Sequence, residues 1–241
     1  MEVLKALIVR KRHTKRSAAA LLSLIALAGL PAACGSAPNP AEHQFAQPWP
    51  FYLYLPDEYA PDRALPLFIG VNGSSADGRS CWNTWQRYAD EYGYVLLCPE
   101  LADPDGRLEQ VRANAMLLEI LGQIYKEYSL QPKIFMAGFS AGGQFVHGYA
   151  FMNPNYVAGV SVIATGNYYK PPSSTRHIPF VVIVGDRDDP GNVENAKGLA
   201  QLLDEGGYSV ELHVLAGEGH TISREAIQLT LGLFDRTTGA P

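Results

Sequence analysis

The sequence predicts one α/β domain: a mostly parallel sheet with helices on both faces and no large lid domain. Three observations predict it. Short apolar runs of strand length alternate with segments of helical spacing along nearly the whole chain after residue 50. Several of those runs are apolar at almost every position, as strands covered on both faces must be. Finally, the run 134–137 passes through Gly138-Phe139-Ser140-Ala141-Gly142 straight into a helical segment, so a G-x-S-x-G pattern stands between a strand and a helix.

Taken in order, residues 51–55 are an aromatic and apolar strand closed by Pro56. Residues 67–71 form a buried strand running into Asn72, Gly73, Ser74 and Ser75. A helix follows over 81–92, with Trp82, Trp85 and Ala89 spaced for one face. Residues 94–98 make a strand stopped by Pro99, and 108–128 a long amphipathic helix. After 134–137 and the serine turn, a helix runs to about 151. Residues 156–164 and 180–184 are further buried strands, separated by a loop. Helical spacing from Val193 to Leu203 ends at Gly206 and Gly207. A last strand over 209–215, a loop over 217–220 and a helix over 222–234 complete the pattern.

With 241 residues, 47% apolar and 18% charged, the chain can bury one sizeable core. Its formal net charge of −5 argues against a nucleic-acid partner. The basic residues Arg10, Lys11, Arg12, Lys15 and Arg16 instead precede an apolar run over 17–30 and the small pair Ala32, Ala33. That is a secretory signal peptide over 1–33, its apolar run being too short to span a membrane comfortably. Cys34 then stands where a bacterial lipoprotein carries its lipidated cysteine, although Pro31 replaces the usual leucine. Lipid attachment to the cell envelope through Cys34 and ordinary cleavage nearby both stay open; either puts the mature protein outside the cytoplasm. Residues 34–50 read as a flexible leader, and 51–241 as the catalytic domain. Export permits a disulfide, and the two cysteines left are Cys81 and Cys98, so a bridge between them is expected.

The glycines two residues before and after Ser140 suit a strained turn in which side chains there would clash. Such a turn would lift the Ser140 hydroxyl above the sheet, beside the amides that open the next helix. A serine nucleophile needs a base, and the base an orienting acid. Of six histidines, His13 and His43 lie before the domain, His147 two helical turns beyond Ser140, His177 ahead of a strand and His213 within one. His220 alone follows the last strand, where a parallel sheet gathers its functional loops. The acid should follow the strand ending at Val184, where Asp186, Asp188 and Asp189 all qualify.

Gly138-x-Ser140-x-Gly142, Gly185-x-x-Asp188 and Gly219-His220 together resemble an α/β-hydrolase over about 51–234, closest to compact secreted serine esterases of polyhydroxyalkanoate depolymerase-like and feruloyl esterase-like type. The resemblance implies Asp188 as the acid, three residues after the strand-ending glycine. It implies an oxyanion hole from the N–H of Ala141 and a donor in the loop after 67–71. Members of the family usually have His-Gly there; Asn72-Gly73 stands here, so the donor by position is Ser74, with Ser75 as fallback. The expected activity is hydrolysis of a carboxylic ester, of short acyl chain or in a polymer, since the loop over 165–179 is too short for a lid domain. Tyr168, Tyr169, Trp82 and Trp85 could line such a site. No cofactor or metal is expected, and the protein should be a monomer. A serine peptidase of the same fold and a non-catalytic exported binding protein are the competing classes.

Overall fold

The strands β1 (Glu42–His43), β2 (Phe51–Tyr54), β3 (Leu65–Val71), β4 (Val95–Pro99), β5 (Leu130–Phe139), β6 (Val157–Ile163), β7 (Phe180–Gly185) and β8 (Val210–Leu215) alternate with the helices α1 (Gly78–Tyr92), α2 (Gln110–Glu127), α3 (Ala141–Met152), α4 (Pro190–Glu205) and α5 (Arg224–Thr238). This is a computed structural model, describing residues 42–43, 49–74 and 78–239. The signal peptide, Cys34, most of the leader and Ser75 lie outside the described residues.

The strands form one sheet in the order β1-β2-β4-β3-β5-β6-β7-β8. From β4 through β8 every neighbouring pair is parallel, while β1 and β2 add an antiparallel edge. The fold is therefore the mostly parallel, doubly covered sheet that the alternation of periods implies. Paired backbone nevertheless begins inside the stretch read as leader, at Glu42 and His43.

The central strands show why continuous apolar runs were required. All seven residues of β3 and all six of β7 are buried. On one face the core is built from α2, α3 and α4; on the other from α1 and α5. The second face centres on Phe68, whose ring lies 4.9 Å from Tyr94 and Trp85, 5.4 Å from Phe135 and 5.8 Å from Phe234. Each such aromatic pair adds about 1 kcal/mol beyond its buried area. β8 differs: it is the far edge, and its exposed Glu211 binds Arg236 and approaches His213, charges that discourage pairing with another chain.

Boundaries move where distant partners or caps decide them. β5 starts at Leu130 because Leu130 pairs with Leu65, although Pro132 and Lys133 had made that stretch look like a connection. α4 starts earlier than its apolar spacing, because Asp189 caps it by accepting from the Gly191 N–H and Pro190 occupies its first turn. α2 is opened by Glu109, which accepts from the Val111 and Arg112 N–H groups.

Cys81 on α1 and Cys98 on β4 form the expected disulfide. It ties the helix that follows the β3 loop to the sheet beneath it. The bridge closes a loop with a sequence separation of 17, which in the chain-entropy account is worth about 3 kcal/mol. The double variant Cys81→Ser/Cys98→Ser should accordingly lose about that much unfolding free energy in a urea titration. An unchanged midpoint would mean that the bridge does not constrain the unfolded chain.

Candidate active site

Loops at the carboxyl ends of β3, β5, β7 and β8 build the site in three regions. The first is the turn from β5 to α3. Ser140 sits there at φ 56° and ψ −121°, a conformation that costs a non-glycine residue about 1–3 kcal/mol. It persists because the surroundings leave no alternative. A Cβ on Gly138 would lie 2.1 Å from the Gly142 carbonyl oxygen, and one on Gly142 2.1 Å from that of Val71. The Ser140 N–H is held by the Ile163 carbonyl at 2.9 Å. Ala141 opens α3, so its N–H is among those left without a helical acceptor.

The second loop follows β3. A Cβ on Gly73 would stand 2.9 Å from the Ser140 Cβ and 3.3 Å from its Oγ. Gly73 thus brings this backbone against the serine, with exposed Ser74 next in the chain. Beside it a narrow notch, lined by Val71, Asn72, Pro99, Leu101 and Leu108, has a volume of about 10 Å³, room for one water-sized group.

The third region joins the loops after β7 and β8. A Cβ on Gly185 would meet the Glu218 carbonyl oxygen at 2.2 Å, so the two loops pass in contact. The three aspartates there divide into three tasks. Asp186 accepts from the Gly217 N–H at 2.7 Å and joins the loops. Asp189 caps α4. Asp188, its side chain fully buried, receives His220 Nδ1 at 2.9 and 3.0 Å. A carboxylate only accepts, so Nδ1 carries the hydrogen and Nε2 is left as the basic nitrogen. The His220 ring packs on Phe139, centroids 4.7 Å apart, which holds it beside the residue preceding Ser140.

No protein-family model matches the sequence. The bifunctional acetylxylan esterase/xylanase XynS20E of Neocallimastix patriciarum is 25% identical over 153 residues, 61% of this chain. The chain spans 22% of that curated relative's length. Esterase PE8 superposes with a TM-score of 0.62 at 18% identity, covering 77% of this chain and 97% of its own. The poly(3-hydroxybutyrate) depolymerase LpqC of Bordetella parapertussis gives 0.62 at 18%, covering 83% and 91%. The chain has the α/β-hydrolase fold.

Within this fold the aromatic residues named from sequence make packing contacts, as does Ser161, which the sequence had not singled out. Ser161, in the middle of β6, shares a hydrogen with Thr230 of α5 at 2.7 Å; both are fully buried, so its hydroxyl is a core group. Trp82 packs on Tyr52 and Tyr54 of β2, and Trp85 is buried against Phe68. Tyr168, in the loop after β6, packs against α4, where a Cβ on Gly198 would come 2.6 Å from its hydroxyl oxygen. Among the described residues, no group of three or more His, Cys, Asp or Glu could hold a metal ion.

Two residues that sequence reasoning did not single out, or set aside, are engaged here. Asn192 donates through Nδ2 to Asp188 Oδ1 at 2.9 Å. His147 is fully buried on α3. Its Nδ1 hydrogen goes to the Gly143 carbonyl at 2.8 Å, and its Nε2 accepts the Tyr169 N–H at 3.1 Å. With Gln144 donating to the Tyr169 hydroxyl and Asn195 to the Gly166 carbonyl, the loop after β6 is pinned to α3 and α4.

Burial lowers the His147 pKa from 6.5 to about 4, only partly opposed by its bond to Gly143. Between those values the unfolded chain binds the extra proton. Stability from this group is therefore complete above pH 6.5 and declines as pH falls toward 4. The loss should reach about 3 kcal/mol. Urea unfolding of the parent protein and His147→Gln between pH 7 and about 4 isolates that share as a slope absent from the variant; parallel slopes would contradict it.

Proposed function

We propose that this protein is an exported serine esterase that cleaves carboxylic esters of short acyl groups, free or in a polymer, through an acyl-enzyme on Ser140. The observation that carries the reading is the His220–Asp188 pair on adjoining loops, with the imidazole packed against the residue before a serine at positive φ. Secretion or a lipid on Cys34 would set it in the cell envelope, in keeping with the Cys81–Cys98 disulfide of an oxidising compartment.

In this mechanism Ser140 Oγ attacks the ester carbonyl carbon while His220 Nε2 takes the hydroxyl proton. Asp188 fixes the tautomer and stabilises the imidazolium. The carbonyl oxygen, now negative, is held by the N–H groups of Ala141 and Ser74. Collapse of the intermediate breaks the bond to the alcohol, which leaves with the proton from His220. Water, deprotonated by the same nitrogen, then attacks the acyl-enzyme and releases the acid and Ser140.

The pinned loop after β6 supports an open approach suited to polymer esters.

p-Nitrophenyl acetate, butyrate and octanoate should be turned over at rates that fall with chain length. Ser140→Ala should abolish turnover, Asp188→Asn should lower kcat by about 10³–10⁴, and Ser161→Ala should leave it near the parent value. Removing the second oxyanion donor with Ser74→Pro should cost about 10²–10³ in kcat. Undiminished turnover by the Ser140 variant would end the proposal.

A further inference from the structure

We propose that Asn192 is a positioning residue for the Asp188–His220 pair, a role that rests on the esterase reading above. The Asp188 carboxylate is fully buried, and its donors among the described residues are few. Oδ1 receives the Asp189 N–H at 2.7 Å and Asn192 Nδ2 at 2.9 Å, and His220 Nδ1 lies 3.0 Å from Oδ1 and 2.9 Å from Oδ2. A buried carboxylate depends on each such donor, because water cannot replace one that is lost. Asn192 Nδ2 also stands 3.2 Å from His220 Nδ1. Both nitrogens carry hydrogen in this arrangement, so they share the carboxylate between them and do not bond to each other.

The amide orientation follows from the same partners. Turned round, the Asn192 carbonyl oxygen would face a carboxylate oxygen, acceptor against acceptor. The side chain is held in the first turn of α4, behind the Asp189 cap and Pro190. Asn192 therefore keeps Oδ1 engaged and the carboxylate plane fixed, leaving Oδ2 to His220. It acts on the reaction only through Asp188.

Three variants test this: Asn192→Leu removes the donor, Asn192→Asp keeps the shape but puts an acceptor beside Asp188, and Asn192→Gln retains an amide. Asn192→Leu should lower kcat about tenfold with KM within about twofold. Asn192→Asp should lower kcat further, and Asn192→Gln should recover part of the loss. The ¹⁵N spectrum of histidine-labelled protein, with His220 assigned through His220→Gln, should show the Nδ1-protonated form in the parent and a mixture of tautomers in Asn192→Leu. A parent-like kcat in Asn192→Leu overturns the proposal. So does a lower melting temperature with kcat and tautomer unchanged, which would make Asn192 only a part of the helix start. If the parent turns over no ester, the esterase reading fails, and the ¹⁵N spectra still decide whether Asn192 governs His220.

Discussion

The structure depends on one crowded crossing of backbones, where the β5–α3 turn meets the loop leaving β3. Gly142 admits the Val71 and Asn72 carbonyl oxygens at distances that a Cβ would occupy, and Gly73 closes on Ser140 in the same way. At Gly142 the packing cannot relax by small side-chain movements, because the opposing atoms are main chain. It therefore supports the left-handed φ of Ser140 with rigidity drawn from three buried parallel strands. The serine is strained because the sheet is not free to move.

A second consequence is the placement of the His220–Asp188 pair. Parallel strands deliver their carboxyl ends to one edge, so the loops after β7 and β8 arrive beside the serine turn without any long insertion. Within them the contact of Gly185 with Glu218 and the bond from Gly217 to Asp186 set the spacing before any catalytic group is considered. Asp188 can then be fully buried while its partner His220 keeps 41% of its side chain exposed. That asymmetry suits an orienting acid shielded from water and a base open to substrate.

Much of this was legible in the sequence for a physical reason: each part of the motif answers to a local steric or chemical demand. Gly138, Ser140 and Gly142 satisfy a turn, and His220 follows the last strand. Choosing among Asp186, Asp188 and Asp189 needed the family resemblance, because three aspartates in one turn differ only in what lies across from them. What the rings of Trp82 and Tyr168 pack on, Tyr52 and Tyr54 for the first and α4 for the second, was not legible either, because hydrophobicity does not report the surface against which a ring is buried. His147 was out of reach because its Tyr169 partner is 22 residues away along the chain, and Asn192 because its Asp188 partner, four residues back, is one of three aspartates that only the fold tells apart. The start of β5 was missed for a related reason, since Leu130 is a strand residue only through its pairing with Leu65.

His147 shows how a residue set aside as a base still bears on the site. A neutral imidazole with one hydrogen to give and one lone pair to accept matches the Gly143 carbonyl and the Tyr169 N–H, and a second proton has no acceptor there. A buried lysine or glutamine would satisfy neither geometry as well, the first for want of an acceptor and the second for want of a rigid ring. The loop after β6 is fastened to α3, the helix that begins directly after Ser140. A loop fastened in this way draws its order from the fold itself, and the cost is a buried histidine that acid can charge.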